Sequence, residues 1–481
     1  MREVLSVRWR QLLALPGLTQ DAILYSLAAV FAAVVGYLTT KHLDYETGGK
    51  IACIAYGAGA AICIAAALYH HHRRPLAPRS ASRIRRLVFV GLLIGAALAP
   101  LGAEIAWRIE AAPGAHAQPE VVVIERAGDR AVHGQDPYLR HPQAVGKAVS
   151  STAPSLDANT YFPYMPGMVS FGVLNALPVP KFLRDARFAF VVFTIAVALL
   201  ALFASGARPA QYGRVLQFLI VLPTGALPMV TGGDDLPVVA MCLLGVVLAQ
   251  RRNPIGAGLA LGFAASFKFT AWPLVFLLAF AARDRDDRPA WGRYSLAVSV
   301  IVAPIVAFGL ALQPAAFITN VVRFPLGLTH IKSPAASPLL GHLFINALPH
   351  HKGVVTAALM VLGASIAIAW LVRYPPRTPA AALRATAFVM IVATVLAPAT
   401  RFGYLLYPAN FLVFAHLLSG MGAREADWVR VRLRAVREGG ARLLQPRQSP
   451  SPLSSTLTSS AVPPAGAVED VTGSTKRPTS Q

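Results

Sequence analysis

Residues 119–138 read Pro119-Glu120-Val-Val-Val-Ile-Glu125-Arg-Ala-Gly-Asp129-Arg-Ala-Val-His133-Gly-Gln-Asp136-Pro-Tyr138, and the side of the membrane on which they lie decides how the rest of the chain is threaded. Pro119 suits the first turn of a helix. Stepping about 100° per residue puts Ile124, Ala127 and Ala131 on one face and Glu125, Arg126, Asp129 and Arg130 on the other. Glu120 falls in the middle of the apolar face. A carboxylate on that side is costly unless it has a partner or a task.

Outward from this stretch the chain is apolar. Of its 481 residues 55% are hydrophobic and only 14% charged, a composition that excludes an ordinary soluble globular protein and indicates an all-α polytopic membrane protein. The net charge of +22 would suggest a nucleic-acid partner in a soluble chain. Here the arginines stand at the ends of apolar runs, where they orient helices, so no nucleic acid is expected. The three cysteines, Cys53, Cys63 and Cys242, lie inside apolar runs without metal-ligand spacing and read as core thiols. The basic segment Met1 to Arg10 precedes an apolar run with no small-residue cleavage site after it, and reads as an uncleaved anchor.

Runs long enough to cross lie at 21–40, 51–69 and 87–107, then at 188–205, 214–231, 236–250, 254–267, 270–282 and 294–313, and finally at 353–372, 383–398 and 402–421. That is about twelve crossings, several of them short or interrupted by Gly and Pro. Residues 70–86 carry Arg73, Arg74, Arg79, Arg83, Arg85 and Arg86 without an acid, and belong inside by the positive-inside rule. The third span then exits near Trp107, and Glu120 comes to the outer side of the cytoplasmic membrane. The same count puts Arg208 with Arg214, Arg251 with Arg252, residues 283–288 and residues 373–384 inside, with both termini cytoplasmic. The loop 111–187 is expected to hold interfacial or re-entrant helices, because its apolar pieces are short and proline-rich. A second external loop spans 314–352.

Four segments follow: a two-span N-terminal addition at 1–86, a membrane domain at 87–421, a basic amphipathic helix at 422–447 suited to anionic lipid, and a Ser/Thr/Pro-rich tail at 448–481, too polar to pack.

The unusual polar residues collect on the expected outer side: Glu120, Asp234 and Asp235 after Gly232-Gly233, Lys268 between two short spans, His330 and Lys332 in the second loop, and Arg401 before the last span. Acids beside isolated cations at one membrane face describe a site where a base meets an anionic, membrane-held ligand. Plainer readings stand beside each. Glu120 could pair with Arg126 or Lys268, Asp234 could cap a helix that has Pro237 in its first turn, and Lys268 could snorkel to headgroups. Glu104 and Arg108, four apart, read as a helical ion pair. His70 to His72 read as an interfacial anchor.

The pattern from Glu120 to Gly134-Gln-Asp-Pro-Tyr138 resembles the first external loop of the GT-C membrane glycosyltransferases, and most closely family 87. Tyr161-Phe-Pro-Tyr-Met-Pro, the small-residue segment from Gly256 to Lys268, and Arg401-Phe-Gly-Tyr-Leu-Leu-Tyr-Pro are similar to that family as well. In two places the chain departs from the family: the usual acid is Asp where this chain has Glu120, and the tyrosine four residues on is Ile124. The resemblance implies a GT-C-like bundle that transfers a hexose, in this family mannose, from a polyprenyl-phosphate donor to a glycolipid or glycan acceptor at the outer face, with inversion. It implies Glu120 as general base and Lys268 and Arg401 as phosphate-binding cations. Asp234 and Asp235 would orient the acceptor or bind a divalent cation, the one cofactor in question. His133, His330, Lys332 and Tyr161 are further candidates for substrate contact. The alternative from another class is a secondary transporter or lipid-carrier flippase, which should show inverted repeats and ionisable residues at mid-membrane; no repeat is visible. A scaffold for envelope assembly would leave the apolar-face acid unexplained.

Overall fold

The computed structural model describes residues 17–39, 42–72, 76–111, 115–139, 161–206, 209–326, 328–329 and 335–419. His330 and Lys332, and the segments expected as a basic helix at 422–447 and a tail at 448–481, lie outside these residues.

Among the described residues nine helices are long and apolar enough to cross a membrane, with three shorter apolar ones between them. In chain order they are α1 (Gly17–Leu38), α2 (Leu43–His72) and α3 (Pro78–Glu110), then α4 (Pro119–Val132), which is not a spanning helix, α5 (Ala186–Ser205) and α6 (Tyr212–Thr231). The short helices α7 (Asp235–Gln250), α8 (Pro254–Phe267) and α9 (Phe269–Ala281) precede α10 (Trp291–Leu312), α11 (Pro349–Arg373), α12 (Pro379–Leu396) and α13 (Phe402–Ser419). Apart from two isolated bridges, no β-structure occurs in the described residues. The chain is therefore an all-α, multi-pass membrane protein.

Two of the long helices are irregular for a legible reason. Pro100 cannot donate to Ala96, and the turn before it, Leu93–Leu98, widens into a π-helix. Pro223 follows a second such turn, Gln217–Val221.

The centre is α7, buried along almost its whole length against α5 and α8. The apolar stretch of α6 is 56% buried, against 11% for α11, so α6 is an inner helix and α11 offers nearly its whole surface to lipid. The N-terminal pair packs backbone to backbone: a Cβ on Gly36 of α1 would lie 2.6 Å from the Lys50 nitrogen of α2. Its Asp21 accepts from Arg85 of α3 at 2.6 Å and from Arg214 of α6 at 2.7 Å. These arginines, with Arg251 against the Ser205 carbonyl, gather at one end of the bundle. Glu120, Asp234, Asp235 and Lys268 lie at the other.

The stretch between α3 and α5 supplies α4 and a 3-10 helix, Pro166–Ala176. They meet at two glycines, Gly128 and Gly172, where any Cβ would collide with the facing backbone. The buried arc of α4 is wider than its apolar stripe and takes in Val121, Val123, Ile124, Glu125, Ala127 and Gly128. Glu125 is thus not on a solvent face. Arg108 grips it with two hydrogen bonds, 2.8 and 2.7 Å, and also reaches Asp185 at 2.7 Å. The expected pair between Glu104 and Arg108 does not form; Glu104 instead meets His116 Nδ1 at 2.8 Å and the Thr47 hydroxyl. Arg187, fully buried, completes the network through Asp185 and the carbonyls of Val230 and His116. Burial alone would raise the Asp185 carboxyl, yet Arg187 and Arg108 hold it below the ordinary carboxylate range.

Candidate active site

Glu120 stands in the first turn of α4, and its Oε1 meets Arg401 at 2.5 Å, with side chains only 18% and 30% exposed. Its other oxygen, Oε2, is buried and has no hydrogen-bond partner among the described residues. The expected partners Arg126 and Lys268 are not the ones that pair with it. Burial would lower the Arg401 pKa, but Glu120, with Tyr404 and Tyr45 near, keeps it above the ordinary arginine value. The guanidinium therefore stays charged at every physiological pH. Arg401 is placed by its flanks: Thr400 exchanges backbone hydrogen bonds with Ala335 and Ser337, and the Phe402 amide donates to Ser337 Oγ at 3.1 Å.

Lys268 sits in an extended link between α8 and α9. Its ammonium donates to Asp234 at 2.8 Å and to Asp235 at 2.5 Å, with all three side chains largely buried. Tyr407 donates to Asp235 at 2.7 Å and accepts from Thr270 at 2.5 Å. The rings of Tyr164 and Tyr404 flank the ammonium, their centroids 5.4 and 5.9 Å away. Burial disfavours the charge, yet the two carboxylates outweigh it and push the Lys268 pKa up. Lys268 therefore does not snorkel to headgroups. Nor does Asp234 cap a helix: it stands at the N-cap of α7, but its carboxylate makes no cap bond and turns to Lys268.

The two ion pairs form one cluster. Tyr404 is in electrostatic reach of both Lys268 and Arg401, and Tyr164 of Glu120, Asp234 and Asp235. Tyr164 is held by the motif that ends the α4 segment. Gly134 takes the left-handed conformation (φ +69°) just past the helix, Asp136 accepts the Tyr138 amide in an Asx turn, and the buried Tyr138 hydroxyl donates to the Tyr164 carbonyl at 2.9 Å. One residue on, the Met165 amide donates to the Phe267 carbonyl at 3.2 Å, which locks this loop onto the end of α8 beside Lys268.

Not every candidate joins the cluster. His133 caps the far end of α4, exposed and turned to the Asp129 carbonyl, about 20 Å along the helix from Glu120. Tyr161 stacks on Phe324, with centroids 4.2 Å apart, and does not touch Lys268. Tyr164, Tyr404 and Tyr407 were within reach of sequence reasoning, since they stand in the quoted motifs, but a tyrosine in an apolar chain carries no mark that separates a site from a core. The metal donor set is poor. Among the described residues no three His, Cys, Asp or Glu side chains converge as an ion would need, and Asp234 and Asp235 are already taken up by Lys268.

Residues 162–398 match the model of glycosyltransferase family 87. That stretch, which runs to the end of α12, is a glycosyltransferase family 87 region. The match takes in Tyr164, Asp234, Asp235 and Lys268 of this glycosyltransferase, while Glu120 and Arg401 flank it. Comparison with curated proteins and with solved structures found no match.

Proposed function

We propose that this family 87 glycosyltransferase moves a hexose, mannose by family resemblance, from a polyprenyl-phosphate donor to a glycolipid or glycan acceptor at the outer face of the cytoplasmic membrane. The support is the convergence of Glu120–Arg401 and Asp234/Asp235–Lys268, from four separate parts of the chain, at the end of the bundle opposite Arg85, Arg214 and Arg251. By the positive-inside rule the arginine end is cytoplasmic, so the cluster faces out.

The donor brings its own leaving group, a phosphate, so the protein has to supply a base for the acceptor hydroxyl and a cation for the phosphate. Glu120 is the base: Arg401 orients one oxygen, and the buried second oxygen takes the acceptor proton. Arg401 uses one of its five donors on Glu120 and keeps others for phosphate, which it can grip in a fork. Lys268, already neutralised by two carboxylates, moves from the expected phosphate role to holding Asp234 and Asp235 toward acceptor hydroxyls. Attack from the side opposite the phosphate inverts the anomeric centre. In membranes supplied with labelled lipid-phosphate sugar, Glu120→Gln should lower transfer at least about a hundredfold; unchanged transfer would remove Glu120 from the reaction.

A further inference from the structure

The N-terminal helices α1 and α2 lie outside the family match, and nothing in their sequence marks them as catalytic. The start of α2 nevertheless reaches the cluster. Tyr45, in the first turn of α2, is in electrostatic reach of both Glu120 and Arg401, and its hydroxyl accepts a hydrogen bond from Gln118 Nε2. Gln118 stands immediately before α4, two residues from Glu120. The same Nε2 donates to Thr231 Oγ1 at 2.9 Å, and the Gln118 amide donates to the Thr231 carbonyl at 2.8 Å. On its other side, a Cβ at Gly232 would come within 2.7 Å of Gln118 Oε1. A side chain at Gly232, where the loop that leads to Asp234 and Asp235 begins, would therefore push the Gln118 amide aside. Three elements close on one side chain: α2 through Tyr45, α6 through Thr231, and the Gly232-Gly233 loop by contact. α2 is itself seated on α6, where a Cβ on Gly48 would lie 2.9 Å from Val230.

We infer that Tyr45 and Gln118 are positioning residues for glycosyl transfer, and that the N-terminal helical pair is thereby a working part of the active site. Gln118 sets where α4 begins, and so the height at which Glu120 meets Arg401, relative to the Asp234–Asp235 loop. Tyr45 holds the Gln118 amide in the one orientation that serves both partners. An error of about 1 Å at a general base is enough to lower turnover steeply while leaving substrate binding intact. This rests on the reading of Glu120 as base, so its test carries an arm that does not depend on activity.

The test uses the full-length protein in detergent with Tyr45→Phe, Gln118→Ala, the double variant and Glu120→Gln. Amide exchange at Gln118 and residues 121–124 should quicken about tenfold in Tyr45→Phe and Gln118→Ala, with α5 unchanged; equal protection in all proteins overturns the clamp. Transfer should show kcat down about tenfold with the acceptor KM unchanged, and the double variant no worse than Gln118→Ala, because both act through one joint. Faster exchange with wild-type kcat makes the joint merely structural and overturns the inference. Glu120→Gln separates the two failures: if it keeps full activity the base assignment falls, and if it is inactive while Tyr45→Phe and Gln118→Ala match wild type, only the positioning role falls.

Discussion

Lys268 carries its charge in a place where a lone ammonium would lose it. Desolvation is offset because Asp234 and Asp235 each give it a carboxylate oxygen and two tyrosine rings flank it. The same balance makes it vulnerable. Lys268→Met leaves two buried acids facing each other, and should destabilise the fold by about 3–5 kcal/mol, read as a lower melting temperature in detergent. Adding Asp234→Asn and Asp235→Asn should restore part of that stability without restoring transfer, because the polar atoms remain while the carboxylates are lost. Glu120 was legible from sequence because its charge sits inside an apolar arc. Its partner was not: Arg401 lies 281 positions away, the difference between their residue numbers, and helical spacing says nothing about such a pair. Glu125 shows the opposite error. A helical wheel assigns it to water, but the wheel cannot see Arg108 and Asp185 arriving from α3 and the start of α5.

Among the elements, α4 is short and amphipathic, and depends for its position on neighbours rather than on its own propensity. Besides the Gln118 joint at its start, two contacts set it, the Arg108 grip on Glu125 and the glycine crossing with the 3-10 helix. Gly128→Val places a branched side chain against the Gly172 backbone, and should cost about 1–3 kcal/mol by overpacking while abolishing most transfer, since Glu120 moves with its helix. Gly102→Ala in α3 is the control: a Cβ there meets nothing within 4 Å, so stability in the same melting assay should hold or rise by up to about 1 kcal/mol. The glycines look alike in sequence. Only the packing distinguishes the one that permits backbone contact from the one that faces lipid.

At the scale of the molecule, the two ends of the bundle hold different sites, with Glu120, Arg401, Lys268, Asp234 and Asp235 at one and Arg85, Arg214 and Arg251 at the other. If the arginine end is cytoplasmic, a cysteine at exposed His133 should react with a membrane-impermeant maleimide in intact cells, and one at exposed Asp286 only after permeabilisation. The reverse pattern would turn the site to the cytosol. Native thiols should interfere little, because Cys63 and Cys242 are buried and Cys53 is half-buried.

Sequence by itself determined the class of this protein, because membrane length and the cost of unpaired backbone in lipid leave apolar helices as the answer for such runs; it did not determine where they end, since α2 begins at Leu43 and α3 at Pro78, well before the apolar runs at 51 and 87. It also picked out Glu120, Lys268 and Arg401, since a charge at the edge of an apolar run carries a desolvation cost that has to be met. Which acid meets which cation was decided by tertiary structure alone. So were the covering of Lys268 by Tyr164 and Tyr404 and the arrival of Tyr45 from the N-terminal helices, because contacts between distant helices depend on how whole faces pack, and no local period records that.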